Sequence, residues 1–129
     1  MGTELQMLAW AIALGLLHLM LDAAMKTSER GLAWNASARD REQPPLGKVT
    51  GRVNRAWSNF LETFPMFAAA VLAVVATERT GDSTALGAQL YFWARLAYIP
   101  AYAAGIPYLR SAIWGVSLVG ILMVLAALF

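Results

Sequence analysis

Cysteine is absent from the 129-residue chain, and histidine occurs once, at His18. The first absence excludes disulfides, thiolate metal sites and a cysteine nucleophile; the second excludes a histidine-rich metal site. No metal is expected. Charge is scarce as well: charged residues make up 14% of the chain against 59% hydrophobic residues, and the mean hydropathy is +0.54. An average soluble domain holds roughly 25% charged and 45–50% apolar residues, so this composition marks a membrane protein. At ~20 residues per crossing of a ~30 Å hydrocarbon core, the chain has room for about four spans and no separate soluble domain. A net charge of +2 and a pI near 9.3 suggest nucleic acid until the basic residues are located. They gather in one loop, which reports membrane topology, and no nucleic-acid partner is expected.

The expected fold class is an all-α integral membrane protein, a single domain over 1–129 built as a four-transmembrane-helix bundle. The first span is expected over 5–25, a nearly continuous apolar run. No lysine or arginine precedes Leu5, only Glu4, so the run lacks the basic start of a signal peptide and is expected to be retained. A polar loop follows over 26–50, with Lys26, Arg30, Arg39, Arg41 and Lys48 and a Pro44-Pro45 pair that no regular helix accommodates. Its length suggests that it folds over something, while the sign-alternating run from Arg39 to Glu42 suits a solvated loop. Asn35-Ala36-Ser37 matches a glycosylation acceptor by pattern alone. The second span is expected over 51–76, with Pro65 in its interior kinking the helix. The third and fourth are expected over 85–104 and 111–129, with Trp114 suited to an interface belt.

Basic residues fix the expected orientation. Lys26, Arg30, Arg39, Arg41, Lys48, Arg52 and Arg55 crowd the first loop and its margin, Arg110 closes the third connection, and the opposite side holds only Arg79. Positive charge stays inside, so both of those loops are expected in the cytoplasm and both termini outside.

Two polar stripes break the apolar pattern. Arg52, Arg55, Asn59 and Glu62 follow one another at helical spacing, as do Tyr91, Arg95, Tyr98 and Tyr102. An ionisable side chain facing hydrocarbon costs at least ~2.5–3.5 kcal/mol without a partner or water, so both stripes must line a protein interior. Their inventory suits a zwitterion: arginine forks clamp carboxylates, glutamate pairs with ammonium, asparagine serves amides and tyrosine hydroxyls donate to carboxylate or thiolate. Glutathione carries all of these groups, though other charged peptides do too. A purely architectural reading stands beside it, in which buried arginine and glutamate neutralise each other and fix helix register. His18, Asp22 and Lys26 form a lesser stripe on the first span. It could wall the site or carry protons, but inter-helix hydrogen bonding is favoured because one stripe on one helix names no substrate.

The motif Arg55, Asn59, Glu62, Phe64-Pro65, with Ala94-Arg95, Tyr98 and Tyr102 on the third span, resembles the MAPEG family of membrane-associated proteins in eicosanoid and glutathione metabolism. The resemblance covers essentially the whole chain. It implies a homotrimer of four-helix bundles that binds glutathione as cosubstrate between neighbouring subunits, in a site opening to the cytoplasm. By position it assigns Arg55, Asn59, Glu62, Tyr98, Tyr102 and Arg110 to glutathione contacts; Arg52 and Arg95 belong to the same stripes. Lys26 or Arg30, at the end of the first span, would stabilise the thiolate. The expected activity is transfer of glutathione thiolate to a lipophilic small-molecule electrophile arriving from membrane lipid, or reduction of a lipid peroxide. The alternative is a non-catalytic membrane subunit that binds a lipid, peptide or partner protein through the same stripes.

Overall fold

Helix boundaries follow the residues that can and cannot continue a helix. In a computed structural model describing all of residues 1–129, α1 runs from Thr3 to Arg30, α2 from Leu32 to Ala36, α3 from Lys48 to Ala76, α4 from Asp82 to Ala104 and α5 from Pro107 to Ala126. The first helix outruns the expected boundary at 25. Nothing in Lys26 to Arg30 opposes a helix, and the chain turns only at Gly31, whose φ of 89° is a left-handed value that glycine adopts without strain. At 1.5 Å per residue, α1 is about 42 Å long, so its last turns project beyond a ~30 Å hydrocarbon core. The expected loop 26–50 is correspondingly shorter, and it contains the short helix α2. α5 likewise starts earlier than expected, at Pro107, because proline at the first helical position has the right φ and lacks an amide hydrogen the helix does not use there. Pro65 sits inside α3, which continues on both sides of it.

Three helices, α1, α3 and α5, are long and apolar enough to cross a membrane by length and composition. α4 is long enough at 23 residues but carries Asp82, Gln89, Arg95 and three tyrosines. Its polarity is turned inward: Tyr91, Arg95 and Tyr98 are all buried, whereas Trp93 and Leu96 are exposed. Leu17, Met20, Leu72 and Leu122 are exposed apolar side chains elsewhere on the bundle. The interior is smaller and mixed, with Leu14, Phe67, Val71, Ala88, Tyr91 and Val124 in one cluster and Phe67 stacked on Tyr91 at 4.0 Å between ring centroids.

α4 and α5 touch backbone to backbone. A Cβ on Gly87 would lie 2.7 Å from the Gly120 carbonyl oxygen, and one on Gly120 would lie 2.5 Å from that of Gly87, so only glycine fits at this crossing. Contacts at the two ends define an up-and-down topology. At one end the turn after α3 meets both termini: Arg79 Nη1 donates to the Leu128 carbonyl at 3.0 Å, and the Thr84 hydroxyl donates to Glu4 Oε1 at 3.2 Å. At the other end the 31–47 segment and the Gly105-Ile106 link lie together with the polar half of α3. Here Glu29 Oε1 accepts the Gly47 N–H at 2.8 Å, satisfying one free amide at the start of α3. A hydrogen bond from the Thr50 side chain, and after it that from the Gly47 amide, hold the Glu29 carboxyl below its ordinary pKa of 4.5.

Candidate polar site at the junction of α3, α4 and α5

The two stripes expected from sequence come together across α3 and α4, and Arg110 at the start of α5 joins them. Arg55 Nε donates to the Tyr102 hydroxyl at 3.1 Å, and the Arg110 guanidinium lies over the same tyrosine ring, 4.9 Å from its centroid. Tyr102 thus accepts from one arginine, stacks under a second and keeps its own hydroxyl hydrogen to donate. One helical turn deeper, Arg95 Nη1 donates to Asn59 Oδ1 at 2.7 Å. This bond leaves the Asn59 amide hydrogens unused. Asn59 and Arg110, with Ser111 and Trp114, line an open cleft of about 290 Å³.

Not every stripe residue reaches that cleft. Arg95 is 2% exposed and Tyr98 1%, and the Arg95 guanidinium lies 4.3 Å over the Tyr98 ring. The Tyr98 hydroxyl and Arg95 Nε are both buried without a hydrogen-bond partner. Such orphans are uncommon in folded proteins and mark places where a further polar group belongs. Arg52 has another task. Its Nη1 donates to the Ala103 carbonyl at 3.3 Å, placing a cation at the C-terminus of α4, where the helix dipole favours one. Gly105 makes room for it: a Cβ there, at a φ of 73°, would lie 2.6 Å from the Arg52 guanidinium carbon. Glu62 and Arg55 are exposed on the flank of α3 beside Met66 and make no ion pair, so the ionisable strip lies partly open on the bundle surface.

Lys26 and Arg30 are held elsewhere. Lys26 Nζ lies 3.0 Å from Asp22 Oδ2, the one ion pair of the structure, and Asp22 Oδ1 accepts from Asn54 Nδ2 at 3.0 Å. His18 Nε2 lies 3.3 Å from the Val53 carbonyl oxygen, which makes that nitrogen the donor, and the ring sits edge-on to Trp57. The lesser stripe on α1 therefore does what was favoured for it, tying α1 to α3. Arg30 stacks on Trp34 at 4.8 Å, and its Nη2 donates to the Pro44 carbonyl at 3.4 Å. Neither cation contacts Tyr98 or Tyr102 within one chain.

Sequence reasoning missed Trp114 and Ser111 as lining residues, because a tryptophan at a helix start reads equally as an interface anchor. It also placed Tyr91 in the polar stripe. Tyr91 is fully buried, with its hydroxyl 2.9 Å from that of Thr63, the residue after the motif glutamate. An apolar groove of about 510 Å³ runs between α1 and α4, lined by Leu14, Leu17, His18, Leu21, Trp93 and Leu96 among others. At 100° per residue, Trp93, Leu96 and Pro100 lie on the side of α4 opposite Tyr98 and Tyr102, so this groove and the polar site are separate.

Comparison with known proteins supports the family resemblance read from the sequence. The sequence model described as the MAPEG family matches residues 7–129, essentially the whole chain. No curated protein matches it in a sequence search.

Proposed function

The chain belongs to the MAPEG family and is an integral, multi-pass membrane protein, and from that premise we propose that it binds glutathione at the α3–α4–α5 junction and activates its thiol. The observation that carries the reading is the Tyr102 hydroxyl, held by Arg55 and overlain by Arg110, on a strip that also bears an unpaired Glu62. Each group has a matching function on the tripeptide. Arg55 and Arg110 take carboxylates, Glu62 takes the ammonium, the free Asn59 amide hydrogens serve a peptide carbonyl, and Tyr102 donates to sulfur. Tyr98 and Arg95 lie buried behind these groups, out of reach of the cleft.

A thiolate is favoured wherever a cation and a hydroxyl donor meet it in a site poor in water. The thiol proton leaves to solvent, and the sulfur electron pair then forms a bond to an electrophilic carbon of a lipophilic substrate, whose leaving group departs with its own pair. Reduction of a lipid peroxide begins from the same thiolate. The peptide enters from water and the apolar partner from lipid, which explains a site at the end of the bundle.

The exposed flank of α3 supports assembly into a homotrimer. Arg55 and Glu62 cannot face hydrocarbon cheaply, and covering them with a neighbouring copy removes that cost while closing the site. In such an assembly Lys26 and Arg30 would reach the thiolate only across a subunit boundary. We place the site toward the cytoplasm and the termini on the other side, from the clustering of basic residues at this end.

The test is the ultraviolet absorption of thiolate in the complex. Glutathione bound at neutral pH should show it, and Tyr102→Phe should lower it while binding persists; an unchanged thiolate band in that variant would remove Tyr102 from the activation. A second reading, a subunit that binds without catalysing, is favoured by Lys26 and Arg30 being engaged with Asp22 and Trp34. Purification of a partner protein in stoichiometric amount would support it, and an isolated trimer that turns over electrophiles would not.

A further inference from the structure

Beyond the glutathione site, a second basic cluster stands outside the span on the 31–47 segment. Arg30 and Arg39 both lie over the indole of Trp34, at 4.8 and 4.7 Å from its centroid. With Arg41 they line an open cavity of about 610 Å³ that Trp34, Ser37 and Gln43 complete. Asp40 lies on the same wall, yet neither it nor Glu42 pairs with any of the three arginines. Two guanidiniums therefore share one indole and a third lines the same cavity, and none of them is ion-paired. Arg30 Nε is buried and has no hydrogen-bond partner. Arg39 is fixed in place: its Nη2 donates to Asn35 Oδ1 at 2.9 Å, and Asn35 is in turn held by its Nδ2 donating to Thr27 Oγ1 at 2.6 Å. A solvated loop with alternating charges needs none of this organisation. Like charges lining one cavity repel one another, and an anion bound in it offsets that repulsion.

We propose that this cavity binds a phosphate group. The guanidinium fork suits phosphate oxygens, and three such forks line this one cavity. The position favours a lipid headgroup as its source. α1 delivers Arg30 a little over one helical turn past the expected end of the span, Leu32 beside it is 78% exposed, and Trp34 is the residue type that settles at headgroup level. The phosphate would sit in the cavity that Arg30, Arg39 and Arg41 line, with Asp40 limiting the site to a single anion.

Calorimetric titration of the full-length, detergent-purified protein tests this with three probes: dihexanoyl phosphatidate, inorganic phosphate and dihexanoyl phosphatidylcholine. Phosphatidate should bind saturably and weaken steeply with added salt. Arg39→Gln and Arg41→Gln should each weaken it about tenfold while leaving glutathione titration and the thermal transition unchanged, which shows that the fold is intact. Tighter binding of phosphatidate than of inorganic phosphate assigns the site to a lipid headgroup; equal binding assigns it to soluble phosphate. Absence of binding to either, equal affinity for phosphatidylcholine, or indifference to both substitutions would overturn the proposal. So would displacement of phosphatidate by saturating glutathione, since the cavity would then be part of the glutathione site.

Discussion

Arg95 reaches from α4 to Asn59 on α3 with a 2.7 Å hydrogen bond, and the two ends of that bond are not equivalent. Arg95 is a buried cation, whereas Asn59 is half-buried and faces the cleft. Asn59→Leu leaves the charge without its acceptor and should cost about 3 kcal/mol or more. Arg95→Met leaves only an unmet carbonyl and should cost about 1–3 kcal/mol. The double variant should lose less than the sum of the two. Thermal unfolding in detergent measures all three; an Arg95→Met effect larger than that of Asn59→Leu would contradict the assignment.

The α4–α5 crossing should be intolerant of a single methyl. Gly120→Ala places a carbon against the Gly87 carbonyl and the Tyr91 backbone, neither of which is a flexible side-chain end, and should cost about 1–3 kcal/mol. Gly115, on the same helix, has nothing within 4 Å of the same methyl. Gly115→Ala should be neutral, or stabilise by up to ~1 kcal/mol through helix propensity. Equal shifts in the thermal transition for the two would remove the close approach as a determinant.

Acid should loosen the 31–47 segment before it loosens the bundle. The Glu29 carboxyl has a lowered pKa because Thr50 and the Gly47 amide hydrogen-bond its charged form. A lowered carboxyl pKa stabilises the folded arrangement above about 4.5, and that contribution fades as pH falls through the lower folded value. Amide exchange at 37–47 should therefore accelerate below pH ~4 relative to α1 and α5, and Glu29→Gln should accelerate it already at neutral pH. Protection unaffected by the substitution would show that Glu29 is not what holds the segment.

Arg55 is exposed within one chain and its one hydrogen bond is to Tyr102 of the same chain, so replacing it removes a ligand-binding charge and no tie between helices other than that bond. Arg55→Ala should abolish glutathione binding while the oligomer, measured by light scattering corrected for detergent, stays the same size. Loss of the oligomer together with binding would show that Arg55 holds the subunits together and does not act on the ligand directly.

How far the sequence reached can be followed residue by residue. Helical spacing alone put Arg55 and Asn59 on one stripe of α3 and Tyr102 on one of α4, and the fold sets the two stripes side by side, with Arg55 bonded to Tyr102 and still exposed. Spacing could not separate Arg52 and Tyr91 from those stripes. Arg52 became the cap of α4 because Gly105 leaves room for a guanidinium, and Tyr91 became core because Thr63 offers its hydroxyl a partner; both depend on what the other helix carries at that height. α1 runs on past the expected end of its span because a helix ends where the backbone must turn, at Gly31, and not where charge begins. The cavity around Trp34 was invisible for a related reason. A run of alternating charges looks solvated until the fold leaves the acids unpaired and stacks two arginines on one indole.

The most direct measurement is calorimetric titration of glutathione into the detergent-purified protein, with Glu62→Gln in parallel. Glu62 is exposed and unpaired, so the substitution leaves the bundle intact and removes only the charge proposed to hold the ammonium group. Saturable binding to the unaltered protein, weakened at least about tenfold by the substitution, is the predicted result. No binding to the unaltered protein, or equal binding to both, would contradict the assignment of the α3–α4–α5 junction as a glutathione site.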